Sequence, residues 1–354
     1  MPTHDNRRDS PPSAAGALDA RKAAILNAIV TEYIGSAQPV GSQHVVDAPG
    51  VNVSSATVRA DMATLEREGY LAQPHTSAGR VPTDKGYRFF VDHLGGPGPL
   101  DAEGRQRVRQ FFDHAHGEIE LMLEHTSGLL AELTDCTAMI VGPSHESAVV
   151  RSVQLVGLGP RVGLLVVVLA DGAVQKQSVE LSDEVDEPHL AAATAHLGAH
   201  VLGRSLAQAG GSLPPPTGDA RTDAAVVAGL DALRMMASSE HADQLFMGGS
   251  SRLAAAFDAV ETVRSVLGIL EQQLVVVTLL RDVLDRGLSV AIGAEHGLEP
   301  LASCALVVTP VSIDGEEVGT IGLLGPTRMN YPQALAAAHL VGDRLGKRLG
   351  EAGR

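Results

Sequence analysis

A short helix with clear signals at both ends is followed, within residues 53–94, by a glycine stop, two extended runs and another helix. Residues 54–68 predict the first helix, because Ser54 is a favoured N-cap residue and Gly69 stands where a left-handed C-cap forms most easily. An apolar stripe at i, i+4 and i+7 is formed by Val58, Met62 and Leu65. Such a stripe must pack on a neighbouring helix.

Two helices and a turn are predicted before this segment. Residues 18–34 have the apolar pattern of a longer helix, residues 39–46 open a short second helix, and residues 47–52 form the turn. Residues 70–83 then place a polar turn between two short extended runs. Three helices followed by such a wing are typical of a winged helix-turn-helix, whose recognition helix enters the major groove of DNA.

Polar residues at the start of the recognition helix and in the wing are the candidates for DNA contact. Hydroxyl groups bond to phosphates or base edges, and arginine forks onto guanine O6 and N7. The helix N-terminus also attracts phosphate, and arginine is favoured in a narrow minor groove. The predicted DNA-binding residues are Ser42, Ser54, Ser55, Thr57, Arg59, His75, Ser77, Arg80 and Lys85. Any single one of them also fits an ordinary solvated surface residue, but the helix, stop and wing in register favour a DNA interface.

Charge is unevenly distributed along the chain, whose formal net charge is −15. Residues 1–95 contain nine Lys and Arg against ten Asp and Glu, a balance of −1, and the remaining 18 and 32 give −14. An acidic protein does not coat nucleic acid indiscriminately. Specificity is therefore expected to depend on a few local contacts and on two DNA-binding heads acting together.

Bulk composition indicates a folded protein of two or three domains, with 354 residues and 44% hydrophobic content. The longest apolar runs, such as residues 162–170, are too short to span a bilayer as a helix, and no charged-then-apolar leader is present. A cytoplasmic protein with no membrane partner is expected. Cys136 and Cys304 lie beside apolar runs and are read as buried free thiols, with a disulfide or redox switch as the alternative.

Beyond the head, a sheet is predicted to be interrupted by helices and then resumed. A glycine and proline cluster at residues 95–99 marks a boundary, since neither helix nor strand tolerates it. Residues 101–135 have a helical pattern, and residues 136–181 are rich in strand formers. Residues 185–245 are alanine-rich and helical, and strand patterns return after residue 289. The expected fold class is α+β, with an antiparallel sheet domain and another segment inserted into it.

Signals for catalysis or metal binding are weak. Residues 157–163 contain a glycine-rich stretch, but it joins two strands rather than opening a helix. His189, His196 and His200 would share a helix face, although no matching acidic or cysteine partner accompanies them. Arg328 lies in a protruding turn that either supports the fold or contacts a partner. No enzyme activity and no cofactor are expected.

Two long motifs carry a resemblance to a known family. The first comprises residues 54–59, 62, 65–66, 69–71, 74–83 and 85–88, and the second comprises residues 292–295, 319–322 and 325–331. At these positions the chain resembles the heat-inducible transcription repressor family HrcA almost letter for letter. The likeness extends over roughly residues 18–350 and is weakest in the middle.

This resemblance implies a homodimeric repressor of chaperone genes that binds an inverted-repeat operator in double-stranded DNA and is kept active by the GroE-type chaperonin. It also implies a winged-helix head, a GAF-like domain and an inserted dimerisation segment. The expected domains are a disordered tail at 1–17, the DNA-binding domain at 18–95, the GAF-like domain at 100–184 and 246–350, and the inserted segment at 185–245. The dimer contact is expected in that inserted helical block.

A regulator of another class is the main alternative. In it, the GAF-like domain would hold a small effector that releases the protein from DNA. The chain contains 3% aromatic residues and no tryptophan, which leaves little material for a stacking pocket. The repressor without a small effector is therefore the preferred hypothesis.

Overall fold

The computed structural model describes residues 18–76, 78–114, 119–142, 149–159, 161–170, 172–181, 185–211, 213–238, 244–257 and 259–352. The chain divides into two compact units, Met1–His93 and Leu94–Arg354. The predicted disordered tail lies outside the described residues.

The small unit consists of helices with one short strand pair. Its helices are α1 (Ala20–Ser36), α2 (Ser42–Val45), α3 (Ser55–Arg67) and α4 (Asp84–Asp92), and its strands are β1 (Leu71–Ala72) and β2 (Val81–Pro82). The two strands pair antiparallel. The apolar faces of α1 and α3 meet in a dry core, in which Ile25, Ile29 and Leu65 are fully buried.

An ion pair joins the same two helices at the edge of this core. Arg21 Nε lies 2.8 Å from the Asp61 carboxylate, which is 10% exposed. The hydrogen bond and the negative charge of Asp61 raise the pKa of Arg21 further. This pair fixes α3 against α1 on the side away from its exposed face.

The large unit contains the remaining elements. Its helices are α5 (Ala102–His114), α6 (Ile119–Thr134), α7 (Glu187–Val201), α8 (Leu206–Ala209), α9 (Ala220–Ser238), α10 (Ser250–Ala255), α11 (Val260–Leu270), α12 (Gln273–Asp285) and α13 (Tyr331–Ala352). Its strands are β3 (Thr137–Val141), β4 (Val150–Gly159), β5 (Val162–Leu169), β6 (Val174–Glu180), β7 (Leu245–Gly248), β8 (Val290–Ile292), β9 (Cys304–Ile313) and β10 (Glu316–Pro326).

Five of these strands form one antiparallel sheet in the order β7-β3-β10-β9-β8. Helices cover both of its faces. A Cβ atom added at Gly322 of β10 would lie 2.4 Å from Leu280 of α12, whereas Ile321 points to Gly342 of α13. Because successive strand residues point to opposite faces, α12 and α13 lie on opposite sides of the sheet.

The other three strands form a separate sheet in the order β4-β5-β6. One face of this sheet packs on α7 and α9, with Leu165, Val167 and Leu197 fully buried between them. We call this part, residues 149–238, the three-stranded module. The prediction of one interrupted and resumed sheet is correct for β3 but wrong for β4 to β6. Among the described strands, β4 to β6 pair with one another and not with the five-stranded sheet, because their apolar sides are buried by the helices that follow them.

The expected mixture of helices with antiparallel sheets is confirmed. Both cysteines are buried free thiols, as predicted, and burial raises the pKa of each to about 12. Among the described residues, no single helix combines the length and apolar character needed to cross a membrane. Helices α11 and α12 reach those values only as a pair bent by 88°.

Candidate nucleic-acid interface

Helix α3 presents a smooth, partly cationic face to solvent. Its buried side carries Val58, Met62 and Leu65, as the sequence pattern predicts. Its exposed side carries alanine and arginine at positions that fall within about 100° of one another on a helix with 3.6 residues per turn. These exposed residues are Ala56, Arg59, Ala60, Ala63 and Arg67. The guanidinium of Arg59 extends from a surface with few bulky neighbours, as required for entry into a groove.

Hydroxyl groups at the start of α3 are already used in local hydrogen bonds. Ser54 caps the helix by accepting from the Thr57 backbone N–H at 3.3 Å, and its Oγ lies 3.1 Å from the Thr57 hydroxyl. Ser42 is buried, and its Oγ lies 3.0 Å from Ser55 Oγ, which ties α2 to α3. The four hydroxyls therefore order the end of α3 that is expected to meet DNA. Ser54 is the exposed one among them.

The turn between β1 and β2, which the sequence predicts to be a wing, is held by a side chain at its base. Gln73 Nε2 donates to the carbonyl oxygens of Thr76 and Ala78, at 3.1 and 3.0 Å. His75 is exposed at this turn, whereas the predicted contact Ser77 lies outside the described residues. A Cβ atom at Gly79 would lie 2.5 Å from the Val40 carbonyl, so only glycine allows the two backbones to approach this closely.

Arg80 is bound within the small unit. Its NH2 group lies 2.9 Å from Glu66 of α3, and its side chain is 18% exposed. Its backbone exchanges two hydrogen bonds of 2.9 Å with Val40, just before α2. Its Nε is buried and has no hydrogen-bond partner in the described structure. Arg80 thus connects the segment between β1 and β2 to α3 and to Val40, just before α2.

Lys85 is likewise engaged at the C-terminal end of α3. Its Nζ donates to the Glu68 carbonyl at 2.8 Å and lies 4.2 Å from the centre of the Tyr70 ring. Next to it, the Thr83 hydroxyl donates to the Gly69 carbonyl at 2.6 Å. These bonds satisfy carbonyl groups that the end of a helix leaves unpaired.

Among the described members of the predicted set, Ser42 and Arg80 bond to residues of α3, and Lys85 bonds to the carbonyl of Glu68 at its C-terminal end. Ser54, Arg59, His75 and Lys85 are exposed, and Arg80 is partly buried. Arg80 and Lys85 bond to other groups of the protein. Arg67 was missed by the sequence reasoning, although its spacing of eight residues from Arg59 is the signal that places both on one helix face.

The histidine and arginine side chains considered as other candidate sites bond to nearby groups of the protein. The His196 ring bonds the Pro215 carbonyl at 2.7 Å, and His189 faces Asp186 and Asp219. Within the described ranges, no group of three His, Cys, Asp or Glu side chains is arranged to hold a metal ion. Arg328 donates to the Ala256 carbonyl at 3.2 Å, in agreement with the structural reading of its turn.

An open cavity of about 680 Å³ lies in the large unit beside α12. Apolar residues such as Leu274 and Leu279 line it together with Asp282 and His296. Burial lowers the pKa of His296, whose Nε2 lies 2.9 Å from the Leu301 carbonyl oxygen. The imidazole is thus part of the local fold at the cavity wall.

Comparison with known proteins connects this architecture to one family. The family model described as the HrcA protein C-terminal domain matches residues 120–335. The heat-inducible transcription repressor HrcA of Nocardia farcinica is 38% identical over 339 residues, which cover 94% of this chain and 97% of the relative. The repressor of the same name from Streptomyces avermitilis is 37% identical over 337 residues, covering 94% and 99%.

A solved structure agrees with the fold. The crystal structure of a hypothetical protein matches with a TM-score of 0.66 at 23% identity, covering 95% of this chain and 100% of that one. The repressor relatives match nearly from end to end, and transcription repression is not an enzyme class. This chain belongs to the HrcA family of heat-inducible transcription repressors.

Proposed function

We propose that this protein represses chaperone operons by binding an inverted-repeat operator as a homodimer, with α3 of each copy in a major-groove half-site. The exposed face of α3 is the observation that carries the proposal. It offers Arg59 for guanine and small neighbours that do not obstruct close approach. The small unit would then act as a winged helix-turn-helix, with β1, β2 and their turn as the wing. Because the proposed target is operon DNA, the protein is proposed to act in the cytoplasm.

The predicted DNA-binding set extends from α2 to α4. Ser54, Arg59 and His75 are exposed and are the members proposed for direct contact. Lys85 is exposed as well, but its Nζ is bonded to the Glu68 carbonyl. The hydroxyls of Ser42, Ser55 and Thr57 would contribute by holding the start of α3, where backbone N–H groups favour phosphate. Ser77, Arg80 and Lys85 complete the predicted set in and after the wing.

Operator binding is tested by footprinting the purified full-length protein on the promoters of chaperone genes. Two protected half-sites related by a twofold axis are expected, with affinity that falls as salt rises. A protein that is monomeric and indifferent to palindromic duplexes, even at low ionic strength, would contradict the proposal.

Dimerisation is proposed to occur through the three-stranded module. A single small DNA-binding module buries only on the order of 600 to 1,000 Å², so tight binding requires two heads. The face of the β4-β5-β6 sheet that points away from α7 and α9 is exposed and aliphatic. Its most exposed members are Val156, Leu158, Val162 and Val174, at 38% to 62% exposure. Apolar patches of this kind mark protein interfaces.

This proposal refines the expected domain borders. The five-stranded sheet with helices on both faces is proposed to be the GAF-like domain, and the inserted segment is proposed to begin at β4 rather than at residue 185. The support is that β4 to β6 share a core with α7 and α9 rather than with the five-stranded sheet. The expected DNA-binding domain, residues 18–95, includes the whole described small unit.

Control by the GroE-type chaperonin is proposed on the family resemblance, with one physical argument beside it. Only 3% of the residues are aromatic. A chain of this size exposes apolar surface transiently while it folds, and such surface is what a chaperone captures. Refolding with and without chaperonin tests this through the yield of operator-binding dimer. Equal yields would remove chaperonin control from the proposal.

A metabolite-sensing regulator is the second candidate, favoured by the cavity beside α12. Its volume of about 680 Å³ lies in the range of small-molecule sites. A thermal-shift screen against metabolites tests it, because a ligand at a hundredfold excess over its Kd stabilises by roughly 2.7 kcal/mol. A hit that also releases operator DNA would favour this candidate over simple repression.

A further inference from the structure

We infer that the basic residues of the small unit have two distinct roles: Arg67 joins Arg59 at the DNA, whereas Arg80 is a positioning residue that holds the wing against α3. This inference rests on the proposed operator binding. It reassigns one arginine predicted to contact DNA and adds another that the sequence reasoning omitted.

The bonding partners of the Lys and Arg side chains support two distinct roles. Residues 18–93 contain seven Lys and Arg side chains against eight Asp and Glu. In the described part of this unit, five cations bond to carboxylates or to a backbone carbonyl: Arg21 to Asp61, Lys22 to Asp19, Arg80 to Glu66, Lys85 to the Glu68 carbonyl and Arg88 to Asp92. The other two, Arg59 and Arg67, are exposed on α3. Arg67 bonds the neutral Thr64 hydroxyl at 3.0 Å.

The contacts of Arg80 are those of a clasp between three segments. Its guanidinium bonds Glu66 on α3, its backbone pairs with Val40 before α2, and Gly79 allows that close approach. Turning the guanidinium toward a phosphate would break the ion pair and leave the partly buried Glu66 without its partner. Fixing the wing relative to α3 is therefore the role that these contacts favour.

Arg67 has the opposite setting. It is eight residues from Arg59, which corresponds to about 12 Å along a helix. Residues near the N-terminal end of a recognition helix reach base edges, so Arg59 is placed to read sequence. Arg67, in the last turn of α3, is then placed beyond the base edges, where a long cationic side chain meets a phosphate.

Two substitutions that change the net charge equally distinguish the phosphate contact of Arg67 from the positioning role of Arg80. Arg67→Ala and Arg80→Ala each remove one positive charge from the same unit, so long-range electrostatics change equally. We expect Arg67→Ala to reduce the slope of log affinity against log salt by about 1 per protomer. We expect Arg80→Ala to lower operator affinity about fivefold, the upper end for a partly exposed ion pair, with an unchanged slope. Affinities are expressed per folded molecule, with folding measured by thermal unfolding.

Glu66→Gln leaves the arginine in place and distinguishes the two roles by the direction in which operator affinity changes. If Arg80 positions the wing, the loss of its partner weakens operator binding even though an acidic group has been removed. If Arg80 contacts DNA, the same change releases it and tightens binding. Glu68→Gln is the control, because it removes a neighbouring exposed carboxylate while the Glu68 backbone carbonyl still accepts from Lys85.

The outcomes are distinguishable from failure of the proposed function. A parent protein that binds no inverted-repeat duplex removes operator binding itself. A parent that binds, together with a reduced salt slope for Arg80→Ala or tighter binding by Glu66→Gln, overturns the positioning role. An unchanged slope for Arg67→Ala overturns the phosphate contact.

Discussion

The small unit and the three-stranded module present opposite kinds of surface. Residues 1–95 have a charge balance of −1, and within the described small unit the cations are mostly tied to acidic partners, which leaves Arg59 and Arg67 exposed on α3. The module instead exposes aliphatic strand residues, with Leu158 at 62%. The first surface suits recognition by a few directed charges, and the second suits association through apolar area.

This difference separates specificity from assembly. Directed contacts select a sequence, but one small head supplies limited affinity. Linking two heads multiplies affinity, because the second head then binds its half-site in an intramolecular step. The two surfaces are thus expected to respond differently to mutation, salt and pH.

The largest effect is expected from a charge at Leu158, the most exposed of the aliphatic residues named on the exposed face of the β4-β5-β6 sheet. Leu158→Asp should give monomers, because the carboxylate would have to be buried in the dimer. Operator affinity should fall by a factor on the order of 10² to 10⁴, which is the gain from linking two modules. Light scattering and anisotropy measure the two effects. Leu213→Asp is the matched control, since Leu213 is also 62% exposed and lies outside the sheet. A dimeric Leu158→Asp protein would place the interface elsewhere.

Loss of the exposed arginine of α3 should give the next largest effect. Arg59→Ala is expected to cost about 1 to 3 kcal/mol at each half-site and to relax preference at one base pair. Competition with operators altered at single positions measures both. Dimer formation should be unaffected, because Arg59 lies in the small unit. Parental affinity and base preference at fixed salt would show that α3 is not oriented as proposed.

A side chain at the wing junction should destabilise the small unit. Gly79→Ala places a Cβ atom 2.5 Å from the Val40 carbonyl, so a backbone must shift. The expected loss in the free energy of unfolding is about 1 to 3 kcal/mol. Denaturant titration measures it, with Gly95→Ala as the control because nothing lies within 4 Å of an added Cβ there. Equal stability of both variants would contradict close approach of the wing to Val40.

The smallest effect is expected on the stability of the three-stranded module at acidic pH. Hydrogen bonds from His189 lower the pKa of Asp186, and bonds from Thr222 lower that of Asp219, both below the ordinary value of 3.8. A carboxyl whose pKa is lowered by folding stabilises the protein above its unfolded pKa, and this contribution is lost as pH falls through the folded value. The midpoint temperature of thermal unfolding should therefore fall as the pH is lowered below about 4. In the Asp186→Asn variant this fall should be smaller than in the parent protein. If both proteins showed the same dependence on pH, Asp186 would not be a source of the acid sensitivity.

Local elements were predictable because their signals are local. The N-cap Ser54, the stripe of Val58, Met62 and Leu65, and the apolar run of residues 162–169 each lie in or next to the element that they predict. The exposed position of Arg59 follows from the same helical period. The full set of predicted DNA-binding residues stays a prediction until the binding experiments are done.

Long-range partnerships were not predictable in the same way. Nothing in the spacing of residues 66 and 80 indicates that Arg80 pairs with Glu66, since the bond depends on how the wing folds back on α3. The separation of β4 to β6 from the five-stranded sheet has the same cause. Which strands pair depends on where the following helices pack.

The sequence by itself determined most helices and strands, the N-cap Ser54, the segregation of acidic charge away from the amino-terminal unit, and the motifs that carry the family resemblance. These depend on residue type and on short spacing, which the chain specifies directly. Strand β7 was not predicted, because strands were expected to return only after residue 289. The tertiary structure decided that Arg80 pairs with Glu66, which sheet each strand joins, and which aliphatic residues face solvent. Those outcomes depend on contacts between segments far apart in the chain, and folding in three dimensions brings these segments together.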